Sequence, residues 1–267
     1  MTDSLSFVTA GDGTRIAYRI DGSGDQPTLI LSNSIATTLH MWDQQIAELS
    51  RHFRVIRYDT RGHGASGVPA GAYSIDRLGR DVVELMDALN IERAHFLGLS
   101  LGGFIGQWLG IHAPERIDRL ILSNTSPYLG PAQPWDEAIN SVLQSKDMTE
   151  RAEMFLRNWF PADMLAAGGP VIDEIRAMVL STSRHGLAAN FAVVRDTDLR
   201  RTISLITRPT LVIAGEHDPV TAASHGRAIA ETIAGAQLKV LPTVHLPNVE
   251  LPKEYLETVL GFLRSTN

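Results

Sequence analysis

Short apolar runs alternate with helical repeats along most of the chain. Thr28–Ser32 (TLILS) and Ala94–Leu99 have the length and composition of buried strands. Between them, Ile75–Leu89 carries apolar residues at three- and four-residue spacing, which predicts an amphipathic helix with Ser74 as its N-cap. Alternation of this kind predicts βαβ units, and therefore a mostly parallel sheet with helices on both faces.

The same pattern extends the predicted sheet to about eight strands. The other strands are expected at Ser6–Thr9, Arg15–Asp21, Phe53–Asp59, Ile117–Ser123, Thr210–Ala214 and Gln237–Leu241. Further helices are expected near Leu101–His112, Ala222–Ile233 and Lys253–Arg264. A hairpin-like Gly-Asp-Gly turn separates the first two strands, so we expect them to form an antiparallel edge of the sheet.

The segment 126–208 interrupts this alternation. It opens with the Pro- and Gly-rich stretch SPYLGPAQPW and then shows only helical patterns. We interpret 126–208 as a helical insertion between two strands, and 1–125 together with 209–267 as the core domain. Helical insertions at the edge of such a sheet often cover a binding site, which predicts a cap. A helical extension without a role at the site is the alternative.

Composition and charge narrow the class of protein. The 267 residues are 44% hydrophobic and 20% charged, which is ordinary for a soluble globular protein. The net charge of −6, without any basic run, argues against a nucleic-acid or anionic-membrane partner. The absence of cysteine excludes disulfides, thiolate metal ligands and a cysteine nucleophile. No signal peptide is visible and no apolar stretch approaches the roughly 18 residues that cross a bilayer, so we expect a cytoplasmic protein.

The stretch HFLGLSLGGFIG places four glycines around a single serine. Gly98-Leu99-Ser100-Leu101-Gly102 matches the G-x-S-x-G pattern between a predicted strand and a predicted helix, which is the context that this motif requires. A strand that turns into a helix within one residue presses the flanking residues together, so only small ones fit. The turn would expose Ser100 as a nucleophile. A plain N-cap is one alternative, and a phosphate-binding loop is another, although the P-loop lysine is missing.

A histidine and an acid at the ends of two later strands complete a candidate triad. His245 follows the last predicted strand, and Asp218, with Glu216 as its nearby rival, follows the strand before. The order Ser100, Asp218, His245 is that of α/β-hydrolases, so we expect His245 to be the base and Asp218 to orient it. Among the other histidines, His63 is interpreted as structuring a turn.

Two backbone N–H groups are predicted to form an oxyanion hole. One belongs to Leu101, directly after the serine. The other lies in the loop after TLILS, where alignment with the common His-Gly-X form selects Ile35 and places Asn33 and Ser34 at the His-Gly positions. Donors of this kind contribute about 3–4 kcal/mol each to transition-state stabilisation.

Longer stretches resemble the α/β-hydrolase superfamily, namely LSNSIATTLHMWDQQ, YDTRGHGASGVPAGAYSI, GLSLGGFIGQWLG, HAPERIDRLILSNT and AGEHDPVT. The Asn-Ser loop, NFAVVRDTDLR and VHLPNVELPKEY resemble 3-oxoadipate enol-lactonases in particular. The resemblance covers nearly the whole chain and is weakest between Gln133 and His185. It implies an α/β-hydrolase fold with a helical cap, no cofactor, and hydrolysis of a small enol-lactone in the β-ketoadipate branch of aromatic catabolism. The histidines do not pair at metal-ligand spacing, so no metal is expected.

The implied substrate carries a free carboxylate, which should meet a cation on the cap side of the site. Arg195 is the candidate cation and Trp135 a candidate wall, while an ion pair of Arg195 with Asp196 or Asp198 is an equal alternative. Fold and triad do not decide the substrate. A small-ester carboxylesterase or a cofactor-free perhydrolase of the haloperoxidase type would use the same triad, and a binding protein without turnover would usually lack part of it. The oligomeric state stays open.

Overall fold

A single eight-stranded sheet organises the chain, of which the structure, a computed structural model, describes residues 5–265. The strands are β1 (Ser6–Thr9), β2 (Arg15–Asp21), β3 (Thr28–Ser32), β4 (Arg54–Tyr58), β5 (Ala94–Leu99), β6 (Ile117–Ser123), β7 (Thr210–Gly215) and β8 (Gln237–Leu241). They lie in the order β1-β2-β4-β3-β5-β6-β7-β8. The pairs β1–β2 and β2–β4 are antiparallel and all later pairs are parallel, which confirms the mostly parallel sheet with an antiparallel edge.

Within the described residues, helices lie between successive strands from β3 onward, and two more follow β8. They are α1 (Asp43–Leu49), α2 (Ile75–Ala88), α3 (Leu101–His112), α4 (Gln133–Gln144), α5 (Thr149–Trp159), α6 (Ala162–Ala167), α7 (Pro170–Ser181), α8 (Arg184–Asp196), α9 (Ala223–Thr232), α10 (Pro247–Glu250) and α11 (Pro252–Leu263). The short helices α1 and α10 were not predicted, because seven and four residues hold too few turns to show a period. None of these helices is both long and apolar enough to span a bilayer.

The core lies between the sheet and the helices on its two faces. Strand β7 is buried along its whole length, as expected for a parallel strand that is covered on both sides. Helix α2 turns an apolar face inward, and its predicted N-cap forms, since the Ser74 side chain accepts a hydrogen bond from the Arg77 N–H. Helix α3 is buried on nearly all sides from Leu101 to Gly110, so it is the central helix of the fold.

Five helices, α4 to α8, lie between β6 and β7, in the segment where the sequence predicted only helices. The two ends of this segment meet, because Tyr128 and Asp198 form an isolated β-bridge and Leu199 N–H donates to the Pro127 carbonyl over 2.8 Å. A segment whose ends lie together is typical of an insertion between two strands. The division into a core (1–125 and 209–267) and an insertion (126–208) stays a prediction that this topology favours.

Helices α2 and α3 meet where a glycine faces an aromatic ring. A Cβ at Gly79 of α2 would collide with the indole ring of Trp108, which is itself buried on α3. The close approach of the two helices therefore requires glycine at position 79.

We expect Gly79→Ala to lower the free energy of unfolding by about 2–3 kcal/mol, because the rigid indole must move to admit a methyl group. Gly261→Ala is the matched control, since nothing lies within 4 Å of a Cβ there and the residue is inside α11. The control should gain about 0.5–1 kcal/mol from helix propensity. Urea unfolding of both variants measures the two effects. A gain at both positions would contradict the tight α2–α3 contact.

Candidate active site

The turn between β5 and α3 presents Ser100 in a strained backbone conformation. Ser100 has φ 57° and ψ −113°, a region that residues with a side chain rarely adopt. A Cβ at Gly98 would collide with the Gly102 carbonyl group, and a Cβ at Gly102 would collide with the carbonyl of Ser32 at the end of β3. The glycines are thus required by close backbone packing, which agrees with the steric reason expected from the sequence.

Asp218 and His245 form a buried hydrogen-bonded pair. The Nδ1 atom of His245 lies 2.8 Å from Oδ2 of Asp218. The second carboxylate oxygen accepts the backbone N–H groups of Val220 and Thr221 over 2.8 and 3.0 Å. Burial alone would raise the pKa of the Asp218 carboxyl, but the His245 charge and these hydrogen bonds outweigh it and lower the pKa to about 2. The carboxylate is therefore ionised, and it fixes the tautomer with the proton on Nδ1.

Two polar residues that were not predicted from the sequence, Asn124 and Thr221, hold this pair in place. Asn124 Nδ2 donates over 3.0 Å both to Asp218 Oδ2 and to the carbonyl of Val244, directly before the histidine. Thr221 Oγ1 donates to Asp218 Oδ2 over 2.7 Å. Asn124 comes directly after β6, so the rule that selected the acid and the histidine, a polar residue at a strand's carboxyl end, could have found it.

The other ring nitrogen of His245, Nε2, has no hydrogen-bond partner among the described residues. This nitrogen is also buried. Trp159 of α5 holds His245 from the insertion side: its carbonyl accepts the backbone N–H of His245 over 3.2 Å, and its indole stacks on the imidazole with centroids 6.3 Å apart. In the neutral imidazole with its proton on Nδ1, the lone pair of Nε2 can accept a proton.

Ser100 and His245 line the same cavity of about 240 Å³. Its walls come from both the core and the insertion: Ile35, Leu101, Phe104, Leu129, Pro134, Trp135, Ala138, Arg151, Met154, Phe155, Asn158, Trp159, Phe191, Val194 and Val220. Most of these side chains are apolar. Trp135, the predicted wall residue, is part of the cavity lining. Within residues 5–265, no group of three or more histidine, aspartate or glutamate side chains could hold a metal ion.

The expected position of Arg195 requires correction. Its guanidinium forms ion pairs of 2.7 Å with Asp196 on the same helix and with Asp136 on α4, and it does not line the cavity. The ion pair considered as the alternative is therefore what the structure contains. The cation that does line the cavity is Arg151 on α5, and no described carboxylate lies within ion-pair distance of it. Asn158, on the same helix, is a further polar residue of the lining.

The predicted oxyanion donors lie on this cavity as well. Ile35 and Leu101 both line it, and neither of their N–H groups donates a hydrogen bond within the described chain. The loop of Ile35 is tied to the serine turn, because Gly102 N–H donates to the Asn33 carbonyl over 3.0 Å. The Asn33 side chain is structural, since it donates to the Tyr58 carbonyl and accepts from an indole N–H. Two unoccupied donors thus lie in a fixed relation to Ser100.

His63 structures the turn after β4, as expected. It also contacts the loop Asn33–Ala36 after β3, which carries the predicted donor Ile35 and is called the oxyanion loop below. Its Nε2 accepts the N–H of Ala36 over 2.8 Å, and its Nδ1 lies 3.3 Å from the Arg61 carbonyl. Complete burial lowers the pKa of the imidazole to about 4. His63 is therefore neutral at physiological pH.

Comparison with known proteins places this arrangement in a family. The model of the alpha/beta hydrolase fold matches residues 27–167, and the chain belongs to this family. The chain is 38% identical over 260 residues to 3-oxoadipate enol-lactonase 2 of Acinetobacter baylyi, covering 97% of each. Among solved structures, it is similar to the enol-lactonase from Burkholderia xenovorans LB400, with TM-score 0.95, 40% identity and coverage of 97% of this chain and 100% of that chain. A hydrolase from Pseudomonas aeruginosa PA01 is 60% identical, with TM-score 0.97 and coverage of 99% and 100%.

The pKa of His63 predicts a loss of stability in mild acid. An unfolded histidine titrates near pH 6.5, so between pH 6.5 and 4 the unfolded chain binds a proton that the folded chain does not. The free energy of unfolding should fall by about 3 kcal/mol across this window because of His63 alone. Urea unfolding at several pH values should show a flatter profile for His63→Gln, while the exposed control His185→Gln should follow the wild type. Parallel profiles for His63→Gln and the wild type would contradict a buried neutral His63.

Proposed function

We propose that the protein is a serine hydrolase that opens 3-oxoadipate enol-lactone to 3-oxoadipate. The observation that carries the proposal is the buried Asp218–His245 pair, whose free Nε2 shares one small cavity with the strained Ser100. The relatives that carry the name 3-oxoadipate enol-lactonase support the choice of substrate.

The first half of the reaction acylates the serine. Ser100 Oγ attacks the lactone carbonyl while His245 Nε2 takes its proton, and Asp218 stabilises the imidazolium that forms. The N–H groups of Leu101 and Ile35 receive the negative charge that develops on the carbonyl oxygen. Collapse of the tetrahedral intermediate expels the ring oxygen as an enolate, which remains tethered to the acyl group. His245 Nε2 gives its proton to this enolate, which restores the neutral imidazole, and tautomerisation of the resulting enol to a ketone prevents the ring from closing again.

The second half releases the product with water. His245 Nε2 removes a proton from a water molecule, which attacks the acyl carbonyl through the same oxyanion site. The bond to Ser100 Oγ breaks, the serine takes back its proton from the imidazolium, and a dicarboxylate leaves. The same three side chains therefore serve both halves of the reaction.

The cavity fits a compact anionic substrate. Its volume of about 240 Å³ lies just below the usual range of small-molecule sites, and its lining is mostly apolar. Arg151 and Asn158 are the polar groups that the insertion contributes, so we assign them to the free carboxylate of the lactone in place of Arg195. In this proposal α4 to α8 form a cap. A carboxylesterase for neutral small esters would use the same triad without needing this cation.

The substrate can be tested directly. Wild-type enzyme should hydrolyse 3-oxoadipate enol-lactone with a kcat/KM far above that for p-nitrophenyl acetate, and Ser100→Ala should lose at least about 10⁴-fold on both. A fluorophosphonate probe should label the wild type and the control Ser141→Ala, an exposed serine of α4, but not Ser100→Ala. A preference for p-nitrophenyl acetate would reject the lactonase, and failure of the probe would reject the serine nucleophile.

The role of Arg151 can be tested with charge-matched substrates. Arg151→Met keeps most of the apolar stem and removes the charge, so KM for the lactone, and for p-nitrophenyl hydrogen succinate, should rise about 10- to 100-fold. Activity on the neutral p-nitrophenyl butyrate should change less than about threefold. Arg195→Met is the matched control, because its guanidinium is already paired with Asp136 and Asp196. An equal loss on charged and neutral esters, or the same selective loss in Arg195→Met, would contradict this assignment.

A further inference from the structure

The oxyanion loop contains an alanine in a conformation that alanine rarely adopts. Ala36 has φ 58° and is fully buried. It occupies the third position of a turn from Ser34 to Thr37, which the Thr37 N–H closes by donating to the Ser34 carbonyl over 3.3 Å. Glycine is the usual residue for a positive φ at this position. Something outside the turn must therefore hold Ala36 in place.

Two side chains from different elements hold the peptide groups of Ala36. His63, in the turn after β4, accepts the Ala36 N–H with its Nε2 atom over 2.8 Å. Thr182, directly after α7 of the insertion, lies with its hydroxyl 3.3 Å from the Ala36 carbonyl. The Thr182 hydroxyl also lies 2.9 Å from the Met178 carbonyl and has one hydrogen to share, so its hold on Ala36 is the weaker one.

The surroundings of His63 make its Nε2 an acceptor. The Nδ1 atom faces the carbonyl of Arg61 at 3.3 Å, so the proton of the neutral ring belongs on Nδ1 and leaves Nε2 with a lone pair. The turn that carries His63 is fixed against the insertion, because a Cβ at Gly186 would collide with Gly62 and Asn190 Nδ2 donates to the Arg61 carbonyl over 3.0 Å. The acceptor is thus held rigidly opposite the Ala36 N–H.

We propose that His63 is a positioning residue of the oxyanion hole: by accepting the Ala36 N–H it locks the Ser34–Thr37 turn in the shape that presents the Ile35 N–H to the reacting carbonyl. Without this acceptor, the peptide between Ile35 and Ala36 can rotate to relieve the positive φ, and the donor is no longer pre-set. The inference rests on the proposed hydrolase function but not on the identity of the lactone.

The test compares two substitutions at His63. Gln places an amide oxygen near the position of Nε2, whereas Leu fills similar space without an acceptor. At equal concentrations of titrated active sites, His63→Leu should lower kcat for p-nitrophenyl acetate about 10- to 100-fold and weaken binding of a trifluoromethyl ketone by the same factor, with KM changed less than threefold. His63→Gln should restore both quantities to within about threefold of the wild type. Loss of packing alone would not separate kcat from KM, nor would it be rescued by an amide.

Two further variants set upper and lower comparisons for the expected change in kcat. Thr182→Val, which removes the weaker contact, should lower kcat about two- to fivefold. His95→Leu is the matched control, a half-buried histidine in β5 that lies at the opposite end of that strand from Ser100, and it should keep the wild-type kcat per active site. Equal kcat and equal ketone affinity in His63→Leu and the wild type would overturn the proposal.

A measurement on the unmodified protein covers the case in which His63→Leu does not fold. Nitrogen-15 NMR of the His63 ring at pH 7 should find the proton on Nδ1 and none on Nε2, and a proton on Nε2 would overturn the proposal. This result is independent of turnover. If the lactone is not hydrolysed but p-nitrophenyl acetate hydrolysis still depends on position 63 as described, the substrate proposal falls and the positioning role of His63 stands.

Discussion

The sharp turn at Ser100 is the constraint on which the rest of the site depends. It forces β5, α3 and the end of β3 into contact at a distance that admits no side chain at Gly98 or Gly102. This contact also allows the Gly102 N–H to donate to the Asn33 carbonyl. The serine turn therefore fixes the position of the loop that contains Asn33 and Ile35. Ser100 and both candidate donors are therefore fixed by one piece of backbone packing, which under the proposed function leaves little reorganisation for the reaction.

The parallel sheet is the second condition for the site, because its neighbouring strands end at the same edge and place their polar side chains there. Asn124 follows β6, Asp218 follows β7 and His245 follows β8, so three neighbouring strands end in one hydrogen-bonded cluster. Asn124 bonds both the acid and the backbone beside the histidine, which sets the distance between their two loops. The cluster keeps Asp218 ionised despite its burial, and an ionised acid in turn keeps the proton of His245 on Nδ1.

These two conditions explain how far the sequence alone could lead. Strand ends and a glycine-bracketed serine are local patterns, and parallel topology converts their order along the chain into proximity, so the fold and the meeting of Asp218 with His245 could be predicted. Arg195 could not be placed this way, because one of its partners, Asp136, is 59 residues away on another helix. The position of Arg151 in the cavity lining could not be predicted either. An amphipathic pattern such as that of α5 shows that the helix has a buried face, but it does not show which cavity that face borders.

Helices α4 to α8 contribute more to the site than part of the cavity wall. The carbonyl of Trp159, on α5, accepts the backbone N–H of His245. The hydroxyl of Thr182, the residue after α7, contacts the Ala36 carbonyl of the oxyanion loop. Helix α8 also packs without intervening side chains against the turn that carries His63. A shift of these helices would therefore move His245 and the loop of Ile35 together with the walls of the cavity. Under the proposed function, we therefore expect substitutions in α4 to α8 to change kcat as well as substrate choice, even where they do not touch the substrate.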